Sequence, residues 1–389
     1  MTAKQNNIPL EMLEQLRKKL HMHAELSGNE IMTRNILRDF LSKNATSGKI
    51  VEIGKTGLAL IFEGKNPGPC IMFRAETDAL PINDDQNLTY KSVNTGISHK
   101  CGHDGHATVL CGLACLLEKQ FSNTGTIILL FQPAEETGKG ADEMLADPLF
   151  ESFTPDYVFA LHNLPGFDAG SVIVKKEQFA SASKGMIIKL IGKPSHAAYP
   201  EQGNNPAFAF TEIIQGIECI PDYPESFDSF ILTTIVHASL GKPGFGTAAG
   251  EAVIMATLRS YDNHNIQRLV HESRLIVEEK AKEHNLQHSI EWSDEFDETF
   301  NHPVAVDIIE KVATENKLKI IHLPFPFRWS EDFGRYTSKY KGAMFGLGAG
   351  KEHPALHTKN YDFPDEIILK GIEMFLGIIQ EINSNELKL

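Results

Sequence analysis

Cysteine is scarce in this sequence. Its 389 residues hold five: Cys70, Cys101, Cys111, Cys115 and Cys219. So odd and sparse a set offers no disulfide framework, and the paired Cys-x-x-Cys of a closed structural zinc site is missing. Positive charge is short as well, 37 Lys and Arg against 51 Asp and Glu, for a net charge of −14. That sign argues against a nucleic-acid or anionic-membrane partner, since both need basic surface. No apolar run approaches the ~20 residues that span a bilayer. The opening MTAKQNNIPLEMLEQL lacks the charged-then-apolar pattern of a secretory signal. The expectation is a reduced, cytoplasmic protein. Apolar residues at 42% and charged residues at 23% are ordinary globular values. At ~150 residues per domain the length predicts two or three domains.

What is present is an alternation. Met12, Leu13, Leu16 and Leu20 share one helical face. Apolar runs at 58–62, 70–73, 126–131 and 157–161 read as strands, with a helix over 107–117. This order predicts an α/β domain with a largely parallel sheet. Near Ser183 the character changes. Strands at 186–191, 230–236, 252–258 and 288–292 enclose helices at 207–217 and 265–283, a compact α+β unit. After Phe300 the first character returns: Pro303 opens a helix, 343–347 is a strand and Pro364 starts a last helix. The simplest organisation is a discontinuous α/β domain, 1–183 and 298–389, with a smaller domain inserted at 184–297.

Sites in open α/β sheets form beyond the carboxyl ends of the strands. Here the run ending at Phe73 is followed by Glu76 and Asp78, and the run ending at Phe131 by Glu135 and Glu136. His162 follows Leu161 at once, and His353 and His357 follow a Gly-rich turn after Leu347. Cys101, His103, Asp104 and His106 sit just before a predicted helix. Thiolate, imidazole and carboxylate from separate elements suit zinc or a neighbouring first-row metal in an incompletely closed, catalytic site. In extended chain, adjacent side chains point opposite ways. One of Glu135 and Glu136 can then bind metal while the other faces a metal-bound water as its base. Taken singly these residues are more often surface or core, as Cys111 and Cys115 are expected to be. Their arrival together at one sheet edge favours a site.

CGHDGHATVLCG (101–112) resembles the signature of the aminoacylase-like amidohydrolases. These form the branch of the di-metal metallopeptidases, peptidase family M-twenty, that contains hippurate hydrolases, auxin-conjugate hydrolases and N-acetyldiaminopimelate deacetylases. LHMHAELSGNE (20–30), FRAETDALPI (73–82), FQPAEETGKGA (131–141), LHNLP (161–165), GKPSHAAYP (192–200), SEDFG (330–334) and LHTKNYDF (356–363) follow in the family's order. The resemblance implies a discontinuous di-metal aminopeptidase-like catalytic domain with an inserted α+β lid and dimerisation domain. It also implies two divalent metal ions, zinc or manganese, with cobalt or nickel as alternatives. Cys101 would bridge them, Glu136 and His357 completing one site and His103 and His162 the other. Glu135 would be the general base and Asp78 would orient a ligand histidine. His196 would stabilise the oxyanion, and Arg259, in ATLRSYD, would hold a substrate carboxylate. The chain departs from the family in three places: Ala24 for proline, Glu76 for aspartate, and GFGTAAGEAV (244–253) for an Asn-Val-Ile-Pro-like lid segment.

The function so implied is hydrolysis of the amide bond of a small N-acyl amino acid by metal-bound hydroxide with a glutamate base. The enzyme would be a homodimer through the lid. A dipeptidase or aminopeptidase on the same site is the alternative within the class. A cysteine-nucleophile amidase, with Cys101 attacking and His103 as base, would need no metal but would leave Glu136, His162 and His357 without roles. A non-catalytic binding protein on the same fold would have no need of Glu135.

Overall fold

The structure is a computed structural model and describes residues 10–122, 124–222 and 227–386. The first nine residues, read above for a signal pattern, lie outside the described residues. The chain divides into two compact units. One contains the residues up to Phe179, then Thr299–Phe325, then those from Asp332 onward; the other contains Ala180–Glu298 together with Pro326–Glu331. No described helix is long and apolar enough to cross a membrane.

The larger unit is built on an eight-stranded mixed sheet. Its strands are β1 (Lys49–Ile53), β2 (Gly57–Glu63), β3 (Asn66–Glu76), β4 (Thr124–Gln132), β5 (Tyr157–Pro165), β6 (Val172–Val174), β15 (Ile320–His322) and β16 (Lys341–Gly350). They lie in the order β1-β2-β4-β3-β5-β16-β6-β15. The central four, β4, β3, β5 and β16, run parallel. Their apolar runs are continuous because both faces are covered. The helices of this unit are α1 (Leu10–Met22), α2 (Ile31–Asn44), α3 (His103–Gln120), α4 (Gly140–Ala146), α7 (Pro303–Glu315), the short α8 (Gly334–Thr337) and α9 (Ile368–Glu386). α3 is buried without interruption from His103 to Leu117. It therefore has no solvent stripe and starts four residues earlier than its apolar run predicts.

The smaller unit is an antiparallel sheet in the order β10-β12-β8-β13: β8 (Ala182–Ile191), β10 (Ile231–Leu240), β12 (Glu251–Ser260) and β13 (Gln287–Phe296). The helices α5 (Ala207–Glu218) and α6 (Asn263–Glu283) pack on its apolar face. β12 alternates strictly: Ala252, Ile254, Ala256 and Leu258 are buried, so Arg259 falls on the face opposite the core. Two short ribbons complete the fold, β9 (Ser195–His196) with β11 (Thr247–Ala248) and β7 (Glu177–Ala180) with β14 (Thr299–Asn301).

α1 buries more than the leucines its periodicity picks out. Arg17 and His21 lie on the same inner face as Leu13, Leu16 and Leu20. The Arg17 guanidinium reaches Asp365 at 2.6 Å, Asp362 at 2.7 Å and Asp104 at 3.4 Å. His21 donates from Nδ1 to Asp104 at 2.9 Å and from Nε2 to Asp84 at 3.1 Å. Burial opposes the imidazolium, but hydrogen bonds to Asp104 and Asp84 outweigh it and hold His21 up at about 9. Removing one partner of such a network leaves buried charge unpaired, which costs ~3–5 kcal/mol. Arg17→Leu is therefore expected to lower the urea unfolding free energy by about that amount. An unchanged urea midpoint would show that water already screens these carboxylates.

Candidate metal centre

The first donors come from the start of α3. Gly102 occupies the N-cap position in the left-handed region, φ 98°. A Cβ there would lie 2.3 Å from Asn163 Oδ1 and 2.7 Å from the Tyr361 hydroxyl, so only glycine fits between Cys101 and His103. Gly105 is required in the same way by the ring of Phe363. His103 Nδ1 faces the Asp78 carbonyl oxygen at 3.0 Å and its Oδ1 at 3.2 Å. The proton is thereby assigned to Nδ1, and the Nε2 lone pair is left to face Glu135 Oε2 and Glu136 Oε1, both at 3.9 Å.

His162 lies inside β5, paired with Gly346 of β16, and not after the strand as its apolar run suggests. Its Nδ1 donates to the Asn163 carbonyl at 2.9 Å, and its Nε2 lies 3.5 Å from Cys101 Sγ. His357 sits in the loop after β16 at φ 61°. Its N–H donates to the Lys100 carbonyl at 2.8 Å, which brings Nε2 to 3.7 Å from Glu136 Oε1. Its side chain alone among these donors is largely exposed, at 53%.

Glu135 and Glu136 do not alternate across an extended strand. β4 ends at Gln132, Ala134 turns left-handed at φ 55°, and a 3₁₀ turn carries Glu135–Thr137. The turn, and not a pleat, sets their directions, and it brings one oxygen of each to 3.9 Å from His103 Nε2. Asp78 ties this turn to α3: its Oδ2 accepts the Glu136 N–H at 3.0 Å and the Ser27 hydroxyl at 2.7 Å, while Oδ1 faces His103. Burial pushes the Asp78 carboxyl up, but the hydrogen bond and charge of His103 outweigh it and keep it low. Glu76 is taken up elsewhere, by Arg74 and by His106 Nδ1 at 2.8 Å. Cys111 and Cys115 are buried in α3, away from the donor cluster, and burial raises both thiols.

The donors form two overlapping triads, Cys101 with His103 and His162, and Cys101 with Glu136 and His357. Within each, the ligand atoms lie within 4.8 Å of one another. Two of those atoms, His103 Nε2 and Glu136 Oε1, are buried without a hydrogen-bond partner. Buried polar atoms are rarely left so. Burial pushes Glu136 up to about 7, against the charge of His103. His103 stands at about 10: burial lowers it, and Asp78 and the neighbouring carboxylates outweigh that. Burial and the adjacent His106 and His103 push His162 down to about 3. Imidazole nitrogens, a cysteine sulfur and a carboxylate converge on one space, and a divalent cation there would displace the proton that His103 otherwise holds beside the carboxylates, so these residues fit metal.

His196 and Arg259 belong to the smaller unit. His196 is exposed in the β9–β11 ribbon and accepts the Ala198 N–H at Nδ1, 3.1 Å. Arg259 donates to Ser330 Oγ at 2.9 Å and to the Arg328 carbonyl at 3.2 Å. It has no carboxylate partner among the described residues. The nearby Asp262 instead caps α6 through the Asn265 N–H at 2.7 Å. The sequence reading had no role for Ser27 or Lys100. Ser27 is visible only as part of a quoted motif. Lys100 is fully buried against Asp84, at 2.8 Å, beside the donor loop, and its only signal is its place next to Cys101.

Residues 72–381 match peptidase family M20/M25/M40. Among curated relatives, the chain is 30% identical to an N-acetyl-L-cysteine deacetylase of Bacillus subtilis over 387 residues, 98% of this chain and 92% of that protein. It is 30% identical to a hippurate hydrolase of Campylobacter jejuni over 374 residues, 93% of this chain and 94% of that one. A solved Bacillus subtilis structure, described as a dinuclear metal binding peptidase of the M20 family, shares the fold. Its TM-score is 0.80 at 24% identity, covering 98% of this chain and 99% of that one.

The glycine at the head of α3 is open to test. Gly102→Ala combines a positive φ with a clash against the Asn163 amide and the Tyr361 hydroxyl, and strain of this kind costs ~1–3 kcal/mol. The variant is expected to melt at lower temperature and to retain less divalent metal by elemental analysis. Wild-type metal content would mean that Cys101 and His103 do not depend on this turn.

Proposed function

The chain belongs to peptidase family M20/M25/M40, and from that premise we propose that it is a metal-dependent amidohydrolase that cleaves an N-acyl amino acid into a carboxylic acid and a free amino acid. The observation that carries this reading is the shared position of Cys101 in two donor triads, with the buried Glu135 carboxylate beside them. Cys101, His103 and His162 would hold one divalent ion and Cys101, Glu136 and His357 the other. Zinc or manganese suits these donors, as cobalt or nickel would. Such ions supply Lewis acidity toward the amide carbonyl and lower the pKa of a bound water.

The chain's own residues do the rest. Asp78 fixes the His103 tautomer, which keeps Nε2 free as a donor. Glu135 receives the proton of the attacking water at its carboxylate and delivers it to the leaving nitrogen. His196 would offer a ring N–H to the oxyanion, and Arg259 would hold the substrate's carboxylate. The smaller unit would serve as lid, and as the surface through which two copies pair. For Arg259 the support is chemical: a half-buried guanidinium with only a hydroxyl and a carbonyl for partners has capacity left for an anion.

The test is a panel of N-acetyl, N-benzoyl and indole-acetyl amino acids, with dipeptides alongside, assayed before and after chelation. Release of free amino acid from the N-acyl compounds, lost on chelation and restored by metal, is expected. Cleavage of the dipeptides alone would replace the reading with an aminopeptidase.

Two substitutions sharpen it. Glu135→Gln is expected to keep both metals and lose ~10²–10⁴-fold or more in kcat; near-normal turnover in the metal-replete variant would remove Glu135 from the chemistry. Arg259→Ala is expected to lose ~1.5–3 kcal/mol of binding, mostly in KM, together with the preference for free-acid over amidated substrates. If the variant still prefers the free acid by the wild-type factor, Arg259 serves the fold.

A further inference from the structure

The motif Ser27–Glu30 stands 104 residues before the Glu135 turn in sequence, counted from Glu30 to Ala134, yet it touches that turn directly. Glu30 is fully buried. Its Oε1 accepts the Gly28 N–H at 2.8 Å and the Ala134 N–H at 2.9 Å, and its Oε2 accepts the Thr56 hydroxyl at 2.7 Å. No cation is among these partners.

Glu30 holds the N-cap position of α2, but it does not cap the helix. Glu25 does that, accepting the Met32 N–H at 3.2 Å and the Thr33 N–H at 2.9 Å. The Glu30 carboxylate is thus released from the usual duty of its position and spent on Ala134. Ala134 is a non-glycine residue in the left-handed region, φ 55° and ψ 35°. L-residues leave that region unless their surroundings hold them there. Its peptide is gripped at both ends, at N–H by Glu30 and at the carbonyl by the Gly140 N–H, 3.0 Å. The next two residues are Glu135 and Glu136.

We infer that Glu30 is a positioning residue: by holding Ala134 left-handed through its N–H, it aims the Glu135–Glu136 turn and sets kcat without touching the reacting atoms. The inference rests on the reading of Glu135 as the base. Placement errors of about 1 Å at such a group can cost ~10²-fold in rate.

Glu30→Asp is the test. It keeps a carboxylate at the start of α2 but falls one methylene short of Ala134. Amide exchange across residues 133–138 should accelerate by about tenfold or more, the measure of a released turn. With N-acyl amino acid substrate, kcat should fall ~10²-fold while KM stays within about threefold. Glu30→Gln keeps an acceptor for the Ala134 N–H and should retain most of kcat. Placing Ala134→Gly in the Glu30→Asp chain should recover part of the loss, because glycine occupies positive φ freely.

A role confined to α2 stability predicts otherwise: unchanged exchange at 133–138, or a loss that glycine at 134 leaves untouched. Either result overturns the inference. If Glu30→Asp does not fold, Thr56→Val, which removes the donor on Oε2, must speed exchange of the same segment for the inference to stand. A wild type that fails to hydrolyse any N-acyl amino acid overturns the functional reading instead, while the exchange result still decides whether Glu30 holds the turn.

Discussion

One buried carboxylate joins the parts of the donor cluster. Asp78 offers one oxygen to His103 and the other to the Glu136 N–H and the Ser27 hydroxyl. Those three groups come from α3, from the turn after β4 and from the loop before α2. No single element could align them, because each approaches from a different strand end or helix end. Among the described residues Asp78 pairs with no arginine or lysine; it stays ionised because the hydrogen bond and charge of His103, with its other donors, outweigh the cost of burial. Its charge in turn sets which His103 nitrogen carries a proton, and hence which one faces the neighbouring glutamates. The direction of two side chains thus follows from one acid.

The positions of the donors were legible in the sequence wherever a strand end announced them. Glu136 and His357 stand near such ends, Cys101 and His103 at the start of a predicted helix, and Gly102 between them has a steric reason. Three things were not legible. β5 continues through His162 to Pro165, because its neighbour β16 continues beside it to Gly350, and cross-strand pairing leaves no trace in a single run. The Glu135–Glu136 pair suggests extended chain, and the turn before it is not legible, because an alanine gives no warning of positive φ when a distant glutamate holds its N–H. Arg17 and His21 escaped because charged residues on a helix count as its outer face until their buried partners are known.

The smaller unit shows the opposite case. Its alternation is clean enough that β12 alone tells which face of the sheet is core. What sequence proximity could not supply was the company of Arg259. Its nearest acid in the chain, Asp262, is occupied in capping α6, and its partners come from Arg328 and Ser330, about seventy residues away. The segment Pro326–Glu331 belongs to this unit although it follows the return of the chain to the larger one.

The burial of α3 from His103 to Leu117 has a consequence for access to the donor cluster. A helix without a wet face cannot lift off its surroundings a turn at a time, so Cys101 and His103 can separate only when the core itself comes apart. His357 instead sits on an exposed loop, its N–H on the Lys100 carbonyl, with the loop tied beyond it by Lys359 to Asp85 and by the Tyr361 carbonyl to Lys100. The cluster therefore has a buried side, set by α3, and an exposed side at His357. Of the donors, His357 is the one a solute meets first from solvent.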